Sequence, residues 1–123
     1  MEENIEFLDN LPQIKIIELL NKAKLLIHTS EFETFGLVAI ESNTMGVPVL
    51  TTNNGSLMEI IENNRNGYLS EDLVDGNVNS FVKNLLNDNK KFKEISLDCL
   101  RISKDYDWKI TTINLNKVYE GLI

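Results

Sequence analysis

With 123 residues, 42% of them hydrophobic, the chain can form one domain with a modest core. A formal charge of −7 and a pI near 4.7 exclude a nucleic-acid binder, which would neutralise phosphates with clustered Lys and Arg. The twelve basic residues are scattered, and the one cluster, Lys90-Lys91-x-Lys93, reads as a solvated helix face.

In chain order, Ile5-Glu6-Phe7-Leu8 predicts a short strand, ended by Asp9-Asn10 and Pro12. Ile14, Ile17, Leu20 and their apolar neighbours give a helical stripe over residues 12 to 23. Leu25-Leu26-Ile27, closed by His28-Thr29-Ser30, predicts a buried strand over 25 to 29. A helix over 36 to 45 follows, stopped by Met45-Gly46, and then a buried strand over 48 to 52. Asn53-Asn54-Gly55 predicts a turn, and Ser56 the N-cap of a short helix carrying Leu57, Ile60 and Ile61. Gly67-Tyr68-Leu69 is the last strand. Val78, Phe81, Val82, Leu85 and Leu86 then mark one amphipathic helix, and Phe92, Ile95, Cys99 and Ile102 another. A closing helix covers about 108 to 121. Strands alternating with helices imply an α/β parallel sheet. The single cysteine rules out an internal disulfide and fits a reducing compartment. No apolar run reaches the roughly 18 residues of a membrane span, and the acidic N-terminus is no signal peptide. A cytoplasmic location is therefore expected.

Residues 33 to 41, Glu-Thr-Phe-Gly-Leu-Val-Ala-Ile-Glu, set two carboxylates eight positions apart astride a helix start. In open parallel sheets, the loop after a strand's carboxyl end is where ligands bind. The helix start supplies free N–H groups and partial positive charge for a phosphate. Carboxylates accept paired hydrogen bonds from sugar hydroxyls, so a polyhydroxylated ligand is expected. Against this stand two plainer readings: Glu41 as an exposed helix residue and Glu33 as a helix-start cap. Glu31 lies near enough in the loop to compete with Glu33. His28, the only histidine, has no Cys or His partner for a metal and reads as structural.

The chain resembles the C-terminal, donor-binding half of retaining group 1 glycosyltransferases of the GT-B fold. Five blocks carry the resemblance in order: Ser30 with Glu33-x-Phe35-Gly36-Leu37-Val38-x-x-Glu41, then Gly46-Val47-Pro48-Val49, Gly55-Ser56-x-x-Glu59-Ile60-Ile61, Asn66-Gly67-Tyr68-Leu69, and Asp107-Trp108. It implies a Rossmann-like, partial doubly wound parallel sheet flanked by helices, the last two-thirds of the GT-B C-terminal domain. Residues 1–123 would be one partial nucleotide-sugar-binding domain, with a core over 1–104 and a C-terminal helix over 105–123. In the family order 3-2-1-4-5-6, residues 5 to 8 match the third strand and 25 to 29 the fourth. The first two strands and the N-terminal acceptor domain have no counterpart. Strand 25–29 would then expose an edge. Either residues 5 to 8 move in beside it, or another chain covers it, or the piece is poorly stable.

The resemblance also implies roles. Glu33 becomes the catalytic residue, touching donor-sugar hydroxyls and countering positive charge at the anomeric carbon; the Phe-Gly after it decides for Glu33 over Glu31. Glu41 would hold the nucleotide ribose. Ser30, Phe35, Gly36, Leu37 and Val38 would bind the donor sugar and diphosphate, the last three through backbone amides. Gly55-Ser56 stands where the family has Gly-Gly, which argues against close backbone approach there. Trp108 and Tyr119 match a segment that packs on the other domain. No metal or other cofactor is expected, the nucleotide sugar being a substrate. The family's Arg and Lys phosphate clamp has no counterpart, so weak donor binding and no transfer by this chain alone are expected. The acceptor, a saccharide or lipid, would come through the missing domain, with the intact enzyme peripheral to the membrane. The alternative is a degenerate, non-catalytic domain that binds another transferase subunit through its sheet edge. A glycoside hydrolase fits poorly with the Gly-Val-Pro block and parallel pattern.

Overall fold

The computed structural model describes residues 4 to 122. Three strands form the sheet: β1 (Leu26–His28), β2 (Val49–Thr52) and β3 (Gly67–Ser70). They are parallel and adjacent in sequence order, with Leu26 opposite Val49 and Val49 opposite Gly67. This is the order that the resemblance implies for the family's last three strands.

Helix α1 (Gln13–Leu20) precedes β1, α2 (Leu37–Thr44) connects β1 to β2, and the single turn α3 (Leu57–Ile60) connects β2 to β3. Beyond β3 come α4 (Gly76–Asn87), α5 (Asn89–Ile102), a 3-10 turn (Ser103–Tyr106) and α6 (Trp108–Leu122). Aspartates start two of these helices: Asp75 accepts from the Asn77 N–H, and Asp88 from those of Lys90 and Lys91.

Side chains alternate across the sheet, so each face builds its own core. Leu26, Val49 and Leu69 join Ala39, Ile40, Leu57, Ile60 and Ile61 on one face. Leu25 and Tyr68 join Phe81, Leu85, Ile95 and Cys99 on the other. Tyr68 stacks on Phe81 with ring centroids 5.1 Å apart. Burial pushes the Cys99 thiol up to about 12, so it is a neutral core group.

Two expectations fail. Residues 5 to 8 form no strand, and Phe7 is 94% exposed. Asn10 turns away at φ 49°, and the segment finds no neighbour whose backbone groups it could pair. The outer edge of β1 is therefore open among the described residues. Ser56 is not an N-cap: its backbone is already helical at φ −65°, ψ −19°, and its hydroxyl takes no capping bond. At the far end, α6 buries none of its residues and Trp108 is 82% exposed.

Candidate functional site

The loop from residue 29 to 36 leaves the carboxyl end of β1 and turns into α2 at Gly36. Gly36 takes the left-handed conformation, φ 79° and ψ 34°, and is buried. A side chain there would be strained and would bring its Cβ within 2.8 Å of Ile60 Cδ1. The turn gathers successive N–H groups around the Glu33 carboxylate, as in an anion-binding backbone nest. Oε1 accepts from the N–H groups of Thr34 at 3.0 Å and Phe35 at 3.3 Å. The Gly36 N–H, then those of Phe35 and Thr34, and more weakly His28, hold the carboxyl below its ordinary value. Because the folded-state value is the lower one, this support for the loop is complete above the unfolded value. It is lost as pH falls through the folded one. Glu33 is thus an anion at neutral pH, and its first function is to organise its own loop.

Gly36 O accepts from Ala39 at 3.0 Å and Ile40 at 3.2 Å, so the helical ladder begins there. The N–H groups of Leu37 and Val38, one step earlier, have no acceptor among the described residues. The Leu37 side chain is exposed, which leaves its amide reachable. Glu41 follows one turn later, half-buried, with the Gln13 amide 3.5 Å from its Oε1 as its nearest partner.

A second loop, between β2 and α3, braces the first. The Ser30 carbonyl accepts from Thr52 Oγ1 at 3.2 Å and Asn54 Nδ2 at 2.5 Å. The Ser56 N–H donates to the Glu33 carbonyl at 3.2 Å. Gly55, at φ 48°, lies so close to that carbonyl that a Cβ could not fit. Gly55 alone thus permits this close packing against the Glu33 loop. The Ser56 hydroxyl and Asn54 Oδ1 are buried without protein partners.

Ser30, Glu33, Phe35, Gly36, Leu37 and Val38 therefore share one turn, whereas Glu41 faces the start of α1 instead. Neither acid lines either of the two hollows at this end of the sheet. An open hollow at the strand ends is lined by Glu31, Thr52, Asn53, Asn54 and Glu71, and a smaller one by Thr34, Phe35, Ser56, Glu59, Ile60 and Tyr106. Neither contains Lys or Arg, so backbone amides are the positive groups at this turn. No cluster of three metal-ligating side chains occurs among the described residues, and no described helix is long and apolar enough to cross a membrane. Sequence reasoning missed the contact of His28 with Glu33, at 3.4 Å, and the brace from Asn54. The lone histidine two residues before Ser30 was a visible signal for the first; nothing marked Asn54.

Comparison with known proteins agrees with this geometry. Residues 1–96 match the family described as glycosyl transferases, group 1. A glycosyltransferase of Methanocaldococcus jannaschii is 29% identical over 119 residues, covering 97% of this chain and 34% of that protein. Among solved structures, Anabaena HepE in complex with UDP-glucose is 28% identical with a TM-score of 0.68, over 87% of this chain and 29% of HepE. The C-terminal domain of the group 1 transferase LpcC from Francisella tularensis is 25% identical with a TM-score of 0.68, over 85% of this chain and 53% of that domain. The chain thus spans about a third of the length of the full-length relatives it matches. A parallel sheet, an acid-bearing turn with open helix amides and a family match over most of its residues give one conclusion: the chain belongs to the group 1 glycosyl transferases.

Proposed function

We propose that this chain is the donor-binding half of a retaining transferase that moves a hexose from a nucleotide sugar to a saccharide or lipid acceptor. The observation that carries this reading is the turn itself: two amides, Leu37 and Val38, without an acceptor among the described residues at the positive end of α2, with the ionised Glu33 carboxylate before them and Glu41 one turn after. The diphosphate would lie on those amides, with Ser30, Phe35 and Gly36 around the sugar. Negative charge on the departing diphosphate would be met by the amides and helix dipole, and positive charge at the anomeric carbon by Glu33. A carboxylate offers about four acceptor positions, so Glu33 can receive a sugar hydroxyl beside the amides it already binds. Glu41 would accept from the ribose hydroxyls. HepE, a structural neighbour, was solved with UDP-glucose, which supports a nucleotide-sugar ligand.

No metal is needed in this scheme. A helix end contributes on the order of 0.3–1 kcal/mol, and about 2 in favourable geometry. With no Lys or Arg at the turn and a net charge of −7, donor binding by this chain alone is weak, and transfer requires the acceptor-bearing part of a complete enzyme. The open β1 edge favours a second reading, a non-catalytic domain docked on another transferase subunit.

Ligand-observed NMR with UDP, UDP-glucose and GDP-mannose tests the first reading. Binding is expected to weaken about tenfold or more in Glu41→Ala, the loss of charge-assisted bonds to two hydroxyls. A folded wild-type chain that binds none of the three would leave the docking reading.

A further inference from the structure

His28 closes β1, and its ring lies between two groups that the backbone holds in place. Nε2 is 3.4 Å from Glu33 Oε2, and Nδ1 is 3.4 Å from Thr51 Oγ1. Thr51 is fully buried on β2, directly opposite His28 in the parallel ladder. The ring itself is largely enclosed, its side chain 11% exposed. Among the described residues, Glu33 is the only acid within ion-pair distance of it.

A carboxylate can only accept hydrogen bonds, so a hydrogen on Nε2, the ring nitrogen 3.4 Å from Glu33 Oε2, is the arrangement that favours this contact. The opposite nitrogen of the neutral ring is then an acceptor, and the Thr51 hydroxyl is its donor. Meanwhile the amides of Thr34 and Phe35 hold the other carboxylate oxygen, Oε1. Amides alone fix where the carboxylate sits; a contact on Oε2 also fixes its plane. That plane decides which lone pairs are presented to a ligand.

We propose that His28 is the positioning residue for Glu33. Its Nε2–H tautomer, favoured by the Glu33 carboxylate and complemented by the Thr51 hydroxyl at Nδ1, sits against Oε2 and aims the carboxylate at the donor sugar. The inference rests on the donor-site reading above and adds to it a dependence on the sugar: losing His28 should affect a ligand with a sugar more than the bare nucleotide.

The test has two arms on the folded chain. A long-range 1H–15N spectrum of the imidazole is expected to show the Nε2–H tautomer. Glu33→Ala should convert it to a mixture. A wild-type ring in the Nδ1–H form would overturn the proposal. In the second arm, His28→Ala should weaken UDP-glucose about tenfold while changing UDP by less than about twofold. His28→Gln, which can put an amide N–H near the Nε2 position, should recover most of that loss. Equal losses for both ligands, or none for either, would reduce His28 to a packing residue. If the wild-type chain binds neither ligand, the donor-site reading fails; the ring spectrum still decides whether His28 holds Glu33.

Discussion

Asn66→Ala is expected to be the most damaging single change in the described chain, costing about 3–4 kcal/mol. Asn66 and Asn43 are both buried, at 0% and 2% exposure, and all of their amide groups are used. Asn66 Nδ2 donates to Asn43 Oδ1 and to the Ile60 carbonyl, each at 2.8 Å, and its Oδ1 accepts the Glu62 N–H at 2.7 Å. Asn43 Nδ2 in turn donates to the carbonyls of Val47 and Asn66, each at 3.1 Å. Truncation at Asn66 leaves two buried groups, Asn43 Oδ1 and the Ile60 carbonyl, and the part-buried Glu62 N–H unpaired, and each buried group costs about 1–3 kcal/mol. Natural domains are stable by only about 5–15 kcal/mol, so a large share of the total would go. In urea the midpoint should fall by about 1–4 M at a slope typical of small proteins. A fall below about 0.5 M would show that water or relaxation satisfies those groups after all. The network also concerns the site, because Asn43 lies two residues after Glu41 and Ile60 ends the helix that backs Gly36.

Gly55→Ala should damage the candidate site more directly. Its φ of 48° is strained for any residue with a Cβ, by about 1–3 kcal/mol. The added Cβ would also collide with the Glu33 carbonyl, a backbone group that cannot rotate away. The Glu33 loop must therefore move, and the nest of amides around its carboxylate must open. Urea denaturation is expected to show the stability loss, and amide resonances of residues 33 to 36 should shift. The Glu33 carboxyl should also move back towards its ordinary value of 4.5, since the amides that lower it would be displaced. Gly76→Ala is the control: nothing lies within 4 Å of a Cβ placed there, and stability should hardly change. Unaltered resonances at 33 to 36 in Gly55→Ala would mean that the brace does not govern the Glu33 loop.

Much of this architecture is legible in residue order. Apolar runs such as Leu25-Leu26-Ile27 and Val49-Leu50 read as strands between helices, but only the second is buried. β1 lies at the open edge and Ile27 is 55% exposed, where the sequence alone predicts a buried strand. The i, i+4, i+7 spacing of Val78, Val82 and Leu85 leaves one face for β3 and α5. The carboxylate pair and the Phe-Gly turn locate the candidate site within a few residues. What could not be read depends on contacts between distant segments. Phe7 alternates like a strand residue, but pattern cannot supply the neighbouring strand that pairing requires. Ser56 has the composition of a cap, yet Gly55 places it one step inside the turn, so its hydroxyl faces inward. Gly36 also has a reason that only the fold supplies: a side chain there would meet Ile60 and Leu57. Histidine at the end of a strand reads as structural from sequence alone, and only the fold brings His28 to Glu33.

The most direct test of a nucleotide-sugar site at the start of α2 is a 1H–15N titration of the chain with UDP-glucose. The largest shifts are expected at the Leu37 and Val38 amides, with smaller ones from Ser30 to Gly36 and around Glu41. Saturable shifts confined to another face, or a folded chain whose Leu37 and Val38 resonances do not move, would contradict it.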